Sequence, residues 1–264
     1  MIIETDSQLR QYIPNTLVTV DGEQSLLEKL TPDLQLSELW LHRHIVSEDL
    51  QSRVEFYQLA KLVATDAFLR AVPSLDLVLT PNGFGIVSNN TIAPASRDRV
   101  DRLLASLEHN RDYALEELLH QLLQVEEWRT TAQGRYFLQT LFQTPFSLPS
   151  DLRKQHALDF FRQSHAQLVL IETELADKFI SRPTYQRLRL DIDNPDFADL
   201  VAPLQAIELQ LLTGKPLPYK QLIALVDFIR QHEDVFPEWQ TSPTAELYKS
   251  HYFENEKKSG GYWF

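Results

Sequence analysis

The residues of this sequence that are best suited by type and spacing to bind a metal are a glutamate and a histidine one helical turn apart. Glu117 and His120 form a Glu-x-x-His pattern, the spacing of metal ligands in di-iron carboxylate bundles. Such a site needs a second Glu-x-x-His, and the sequence contains no second copy. We therefore expect His120 to lie on the surface of an acidic helix. A metal site built from Glu117, His120 and a carboxylate such as Glu172 is the alternative.

Two other patterns match ligand sites only in part. His42 and His44 are two positions apart, so on a helix they face different directions and cannot easily share a metal ion. Gly83 and Gly85 lack the third glycine of a dinucleotide-binding fingerprint. The sequence also lacks a P-loop, a Gly-x-Ser-x-Gly motif and a His-Glu-x-x-His motif. We expect a protein that is not an enzyme and that uses no cofactor and no metal.

Composition limits the class of protein further. Cysteine is absent, which excludes disulfides, Cys-ligated metal sites and thiol catalysis. A net charge of −12 disfavours direct nucleic-acid binding, which needs clustered Lys and Arg. Arg182, Arg187 and Arg189 form the best local basic strip, and such a strip usually only solvates a helix face. No secretory leader and no run of about 20 apolar residues is present, so we expect no membrane contact.

A β-hairpin is predicted at about residues 76–88, within a chain that otherwise has helical spacing. β-prone residues flank a Pro81-Asn82-Gly83 turn, and Phe84 begins the returning run. Apolar residues elsewhere recur at helical intervals, which predicts a mainly α fold built as a helical bundle. Pro32 is expected to open the second of two helices between Gln24 and Val46.

The predicted organisation has two helical halves. Residues 1–142 form an N-terminal half that carries the hairpin, 143–156 are linker-like, 157–253 form a C-terminal half and 254–264 are a tail; one compact domain is the alternative. Ile45, Val46 and Ser47 align with Phe179, Ile180 and Ser181, and Trp128-Arg-Thr-Thr131 resembles Trp239-Gln-Thr-Ser242. A duplication explains this order, and chance similarity between Leu-rich helices explains it equally well.

The C-terminal tail is a candidate interaction element. Gly260 and Gly261 precede Tyr262, Trp263 and Phe264, whose burial would contribute about 2 kcal/mol each. The tail either adds a strand beside the hairpin of its own chain or docks on a neighbouring subunit. With the hairpin turn, the candidate interaction residues are Pro81, Asn82, Gly83, Phe84, Tyr262, Trp263 and Phe264.

One stretch resembles a known group of proteins. Residues 79–100, with Leu-Thr-Pro-Asn-Gly-Phe, Val-Ser-Asn and Ala-Pro-Ala-Ser before a helix, are followed by Trp128-x-Thr-Thr and Leu141-Phe142. This pattern resembles an uncharacterised family encoded in the structural gene clusters of Bacteroidetes phages and prophages. The resemblance spans most of the chain and is firmest over 75–142.

The resemblance implies a virion structural protein, a head–tail connector or adaptor. Such a protein would form an oligomeric ring of identical copies and contact the portal or other virion proteins. It would be found in the virion, and in the host cytoplasm during assembly. The family offers no catalytic residues to carry over. A metal-dependent cytosolic enzyme and a helical interaction protein unrelated to virions are the alternatives.

Overall fold

The computed structural model describes residues 1–13, 25–75, 77–80, 83–86, 96–152 and 156–249. Within these ranges the chain is mainly α-helical, as predicted. The structure consists of two compact units, Met1–His165 and Ala166–Phe264. No described helix combines the length and the apolar character needed to cross a membrane.

The first unit is built around three packed helices. Helix α3 contacts both α2 and α4, and it buries Leu62 and Val63 almost completely. The Ser25 hydroxyl accepts a hydrogen bond from the Glu28 amide at the start of α2, and the Glu28 carboxylate accepts one from the Ser25 amide. The described helices of this unit are α1 (Asp6–Tyr12), α2 (Leu26–His44), α3 (Phe56–Ala71), α4 (Arg97–Leu122), α5 (Glu126–Arg129), α6 (Ala132–Phe137) and the first part of α7 (Ala157–Leu175).

The structure corrects the prediction that Pro32 separates two helices. Pro32 lies inside α2, which is continuous from Leu26 to His44. Leu30, Leu34 and Leu41 are fully buried along one face of this helix. Burial of that continuous apolar face outweighs the loss of one backbone hydrogen bond at the proline.

Two short strands lie between α3 and α4. Strand β1 (Leu77–Thr80) pairs antiparallel with β2 (Gly83–Ile86), and Leu77 lies opposite Ile86. Pro81 and Asn82 lie outside the described residues, as does the C-terminal stretch for which an added strand was predicted.

Residues 144–148, which follow α6, pack against α4. The prolines in this part of the sequence had led to the prediction of a linker-like segment. Thr144 Oγ1 donates to Glu116 Oε1 at 2.5 Å, and the Phe146 amide donates to Glu116 Oε2 at 3.1 Å. Leu148 is fully buried. These contacts hold residues 144–148 in the first unit, and the boundary between the two compact units falls later, within α7, at His165 and Ala166.

The second unit begins with the end of α7. A π-helical turn, Ala176–Ile180, extends α7 to Ser181, which has a positive φ of 77°. The Ser181 hydroxyl accepts a hydrogen bond from the Thr184 amide and caps the next helix. The further described helices of this unit are α8 (Arg182–Leu190), α9 (Ala198–Leu212), α10 (Tyr219–Gln231), α11 (Pro237–Gln240) and α12 (Pro243–Glu246).

Each unit contains a buried tryptophan bonded to the end of its first long helical segment. Trp128 Nε1 donates to the carbonyl oxygen of Ile45 at 2.6 Å. Trp239 Nε1 donates to the carbonyl oxygen of Phe179 at 2.9 Å. Ile45 and Phe179 occupy corresponding positions in the sequence alignment of the two halves, as do the two tryptophans.

The residues that follow the two tryptophans also correspond. Thr131 and Ser242 each donate from the hydroxyl to the carbonyl oxygen three residues before, at 2.7 and 2.6 Å. Each hydroxyl also accepts from the amide three residues later, so Thr131 caps α6 and Ser242 caps α12. Both units thus contain a four-residue helix that is followed by a hydroxyl cap and a second short helix: α5 and α6 in the first unit, α11 and α12 in the second.

Candidate functional site: an aromatic groove with two arginines

A groove of about 530 Å³ lies in the first unit, where the end of α2, α6 and the first turns of α7 meet. Aromatic side chains cover much of its lining, and two arginines and a histidine lie among them. The residues that give the groove its chemistry are Trp40, Arg43, His44, Tyr136, Phe161 and Arg162.

Backbone contacts fix the position of the helices around this groove. The bond from Trp128 to Ile45 joins α5 to the end of α2, and Gln133 Nε2 donates to the His42 carbonyl oxygen at 3.2 Å. Gly134 allows α6 to lie against the preceding turn, since a Cβ atom there would lie 2.1 Å from the Trp128 carbonyl oxygen. The helices that form the groove are therefore held by direct contacts with one another.

Tyr136, Phe137 and Phe161, which form the floor of the groove, belong to a larger cluster of rings that includes Trp128 and His165 behind the lining. Phe137 stacks on Trp128 with ring centroids 5.9 Å apart and on Phe161 at 5.8 Å. The Tyr136 ring lies 4.1 Å from the ring of His165, which is 4% exposed. These rings hold one another in place, so the floor offers a preformed apolar surface.

The rim of the groove carries positive charge. Arg43 and Arg162 are exposed, and neither has a carboxylate partner in the part of the chain that the structure describes. The Arg162 Cζ atom lies 5.4 Å from the centroid of the Trp40 ring, which is a cation–π contact. Other arginines, such as Arg111 and Arg189, are paired with carboxylates.

Two titratable groups of the groove, His44 and Tyr136, and the neighbouring His165 have pKa values shifted toward the neutral form. Partial desolvation, followed by the charges of Arg162 and Arg43, lowers the pKa of the His44 imidazole. Burial alone lowers the pKa of His165, and burial raises the pKa of Tyr136 against the opposing effect of Arg162. These shifts favour the neutral imidazoles and the neutral phenol, so the two guanidinium groups supply the positive charge.

This arrangement can bind an anionic group that lies next to an apolar or aromatic one. Carboxylates pair with guanidinium groups through two parallel hydrogen bonds, and a neighbouring ring fits against an aromatic floor. The sequence analysis weighed His42 and His44 only as metal ligands and so missed the groove. The sequence features that could have indicated the groove are Arg43, which lies between these two histidines, and the aromatic residues of α6 and α7.

Only two of the predicted interaction residues belong to the described structure. Gly83 and Phe84 belong to β2, whereas Pro81, Asn82, Tyr262, Trp263 and Phe264 lie outside the described residues. Their role stays a prediction.

The alternative metal site receives no support from the geometry. His120 is exposed and its Nε2 lies 3.4 Å from Glu116 Oε1. Glu172 is fully buried and accepts from Arg189 Nη2 at 2.6 Å. Among the described residues, no three His, Asp or Glu side chains are placed to hold a metal ion.

The arginines of the basic strip in α8 all bond to carboxylates. Arg182 bonds to Asp177 at 2.6 Å, Arg187 to Glu238 at 3.0 Å and Arg189 to Glu172 at 2.6 Å. These carboxylates offset the positive charge of the strip.

A buried polar network underlies this strip. Tyr185 donates to Glu208 Oε1 at 3.0 Å, and both residues are fully buried or nearly so. Burial, followed by the nearby Glu172 carboxylate, raises the pKa of Glu208 well above its ordinary value, which favours the neutral acid. The network is enclosed by protein and is a structural element of the second unit.

A family model described as a family of unknown function, DUF6712, matches residues 22–137, which include α2 to α6 and part of the groove. No curated protein and no solved structure matches the chain. The match agrees with the expected resemblance to an uncharacterised family. Residues 22–137 of this chain are thus similar to DUF6712, a family of unknown function.

Proposed function

We propose that this chain is a non-enzymatic structural protein of a phage virion, a head–tail connector or adaptor whose copies assemble into a ring. The support comes from the resemblance of residues 75–142 to an uncharacterised family encoded in phage structural gene clusters, and from the groove of the first unit. The groove combines an aromatic floor with two exposed arginines, which is suited to hold a protein segment. The portal and other virion proteins are the proposed partners.

The groove is the observation that carries this proposal. It contains Trp40 and Tyr136, both half-buried, and exposed Arg43 and Arg162, the residue types that contribute most to protein interfaces. Leu36 and Leu39, exposed by 54% and 62%, add apolar surface to α2 within one turn of Trp40. A protein that worked alone would leave this surface in water.

We further propose that the two units arose by duplication and that only the first acquired a hairpin. The corresponding tryptophan bonds to Ile45 and Phe179, and the corresponding caps at Thr131 and Ser242, support this. Chance similarity of amphipathic helices produces matching leucines, but it does not produce matching indole-to-carbonyl bonds at aligned positions.

Two experiments test the proposed function. Mass spectrometry of purified particles from a producing strain should detect this chain at a stoichiometry well above that of co-purifying host proteins. Negative-stain imaging and light scattering of the purified protein, alone and with the portal protein, should show rings. A chain that is absent from purified particles would reject the virion assignment and favour a helical interaction protein of another system.

A further inference from the structure

The groove concentrates positive charge in a chain whose overall charge is negative. The sequence has 37 acidic and 25 basic residues, so carboxylates are in excess. Arg43 and Arg162 nevertheless line the same groove without a carboxylate partner in the described ranges. Both guanidinium groups also act on the same imidazole, that of His44. An anionic occupant would relieve this concentration of positive charge.

A segment with the complementary chemistry begins three residues after Lys249, where the described part of the second unit ends. Residues 252–256 read Tyr-Phe-Glu-Asn-Glu, so two aromatic side chains directly precede two carboxylates in sequence. The aromatic pair matches the aromatic floor of the groove, and the glutamates match its two arginines. The stretch from 250 to 256 would reach about 23 Å if extended, enough to pass from one molecule to an adjacent one.

We propose that the groove binds residues 252–256 of a second copy of this chain. This inference rests on the proposed ring function, because a contact between a segment of one copy and a different surface of the next is the type that closes into a ring. Tyr252 and Phe253 contact the aromatic floor. Glu254 and Glu256 pair with the two groove arginines. Each copy thereby donates one segment and receives another.

Charge reversal on either side of the contact tests this proposal in the full-length chain. The groove variant carries Arg43→Glu and Arg162→Glu. The segment variant carries Glu254→Arg and Glu256→Arg. Sedimentation velocity measures the self-association of each variant, and we expect each to associate at least about tenfold more weakly than wild type.

A matched control separates the groove from a general effect of charge. Arg99→Glu with Arg102→Glu makes the same charge change as the groove variant, at exposed positions of α4. Circular dichroism should show that the control and the groove variant both fold, because all four arginines are exposed. The control should associate normally, and an equal loss in the control would overturn the proposal.

A mixture of the groove and segment variants is the decisive measurement. The groove variant still has the wild-type segment, which can bind the wild-type groove of the segment variant. The reversed groove carries glutamates and the reversed segment carries arginines, so these two surfaces also have opposite charges. The mixture should therefore form a complex with equal amounts of both variants, which neither variant forms alone.

Three results would overturn the proposal: a wild-type chain that stays monomeric at high concentration, normal self-association of the groove variant, or no complex in the mixture. Each of these leaves the virion assignment to be judged by mass spectrometry of particles. The two proposals therefore fail separately.

Discussion

The indole nitrogen of Trp128 donates a 2.6 Å hydrogen bond to the carbonyl oxygen of Ile45, and both residues are buried. Ile45 follows the last residue of α2, where backbone carbonyl groups lose their intrahelical partners. The tryptophan supplies the missing donor and joins α5 to α2. Trp239 and Phe179 repeat this relationship in the second unit at 2.9 Å.

Replacing either tryptophan should destabilise the chain. Trp128→Phe leaves the buried Ile45 carbonyl without this donor, which is expected to lower the free energy of unfolding by about 1–3 kcal/mol. Trp239→Phe should have an effect of similar size. Chemical denaturation followed by circular dichroism measures both, with Trp40→Phe in the half-buried lining of the groove as the control. Unchanged stability of Trp128→Phe would show that this bond does not anchor α2.

Gly134→Ala should destabilise the first unit even though alanine is the better helix former. The added Cβ would lie 2.1 Å from the Trp128 carbonyl oxygen, a backbone atom that cannot rotate away. Overpacking of this kind costs about 1–3 kcal/mol, which exceeds the gain of up to about 1 kcal/mol from replacing a helical glycine. Thermal unfolding measures the effect, and Ala132→Ser at an exposed position of α6 is the control. A higher melting temperature for Gly134→Ala would contradict the close approach.

Glu208→Gln should alter how stability depends on pH. Burial and the Glu172 carboxylate raise the pKa of Glu208 in the folded chain. The contribution of Glu208 to folding stability is therefore fully present below its pKa in the unfolded chain, near 4.5, and is lost as pH rises toward its pKa in the folded chain. Glutamine cannot ionise, and its side-chain oxygen still accepts from Tyr185. The variant should therefore gain stability relative to wild type as pH rises above that unfolded value, by up to about tenfold in the folding equilibrium constant per pH unit.

Denaturant titrations of wild type and Glu208→Gln, from acidic to neutral pH, measure this difference. Glu246→Gln at an exposed position of α12 is the control, and its stability difference from wild type should change little over the same range. A constant difference between Glu208→Gln and wild type would contradict a buried neutral acid.

The sequence predicted the parts of this structure that depend on local spacing. The helical periodicity identified a mainly α chain, and the alignment of Trp128 with Trp239 identified residues that make corresponding bonds in the two units. Pro32 was misjudged because local helix rules do not include the burial of leucines on either side of it. The prolines of residues 144–149 likewise gave no indication that Glu116 would bind that segment.

The candidate groove could not be predicted because its residues come from distant parts of the chain. Arg43 and Arg162 are far apart in sequence, and each alone resembles an ordinary surface arginine. Only the structure shows which residues surround each arginine, and within the described ranges neither has a carboxylate partner. The Glu-x-x-His pattern, by contrast, was conspicuous in the sequence, yet His120 is exposed and lies against Glu116.

The hairpin and the C-terminal tail lead to the last prediction. The described sheet contains β1 and β2, and a two-stranded hairpin is marginally stable in water unless another element covers it. Tyr262, Trp263 and Phe264 offer β-prone aromatic side chains that would contribute about 2 kcal/mol each on burial. We expect them to pack on the hairpin of their own chain or of a neighbouring copy.

Deletion of residues 260–264 tests this contact and should preserve the helical circular dichroism spectrum, because the helical units retain their own cores. The deletion should reduce assembly if the contact is between copies, since each copy then loses an apolar anchor. It should lower the melting temperature if the contact is internal. A truncated chain that equals the full-length one in melting temperature, oligomeric state and portal binding would show that the tail has no such contact.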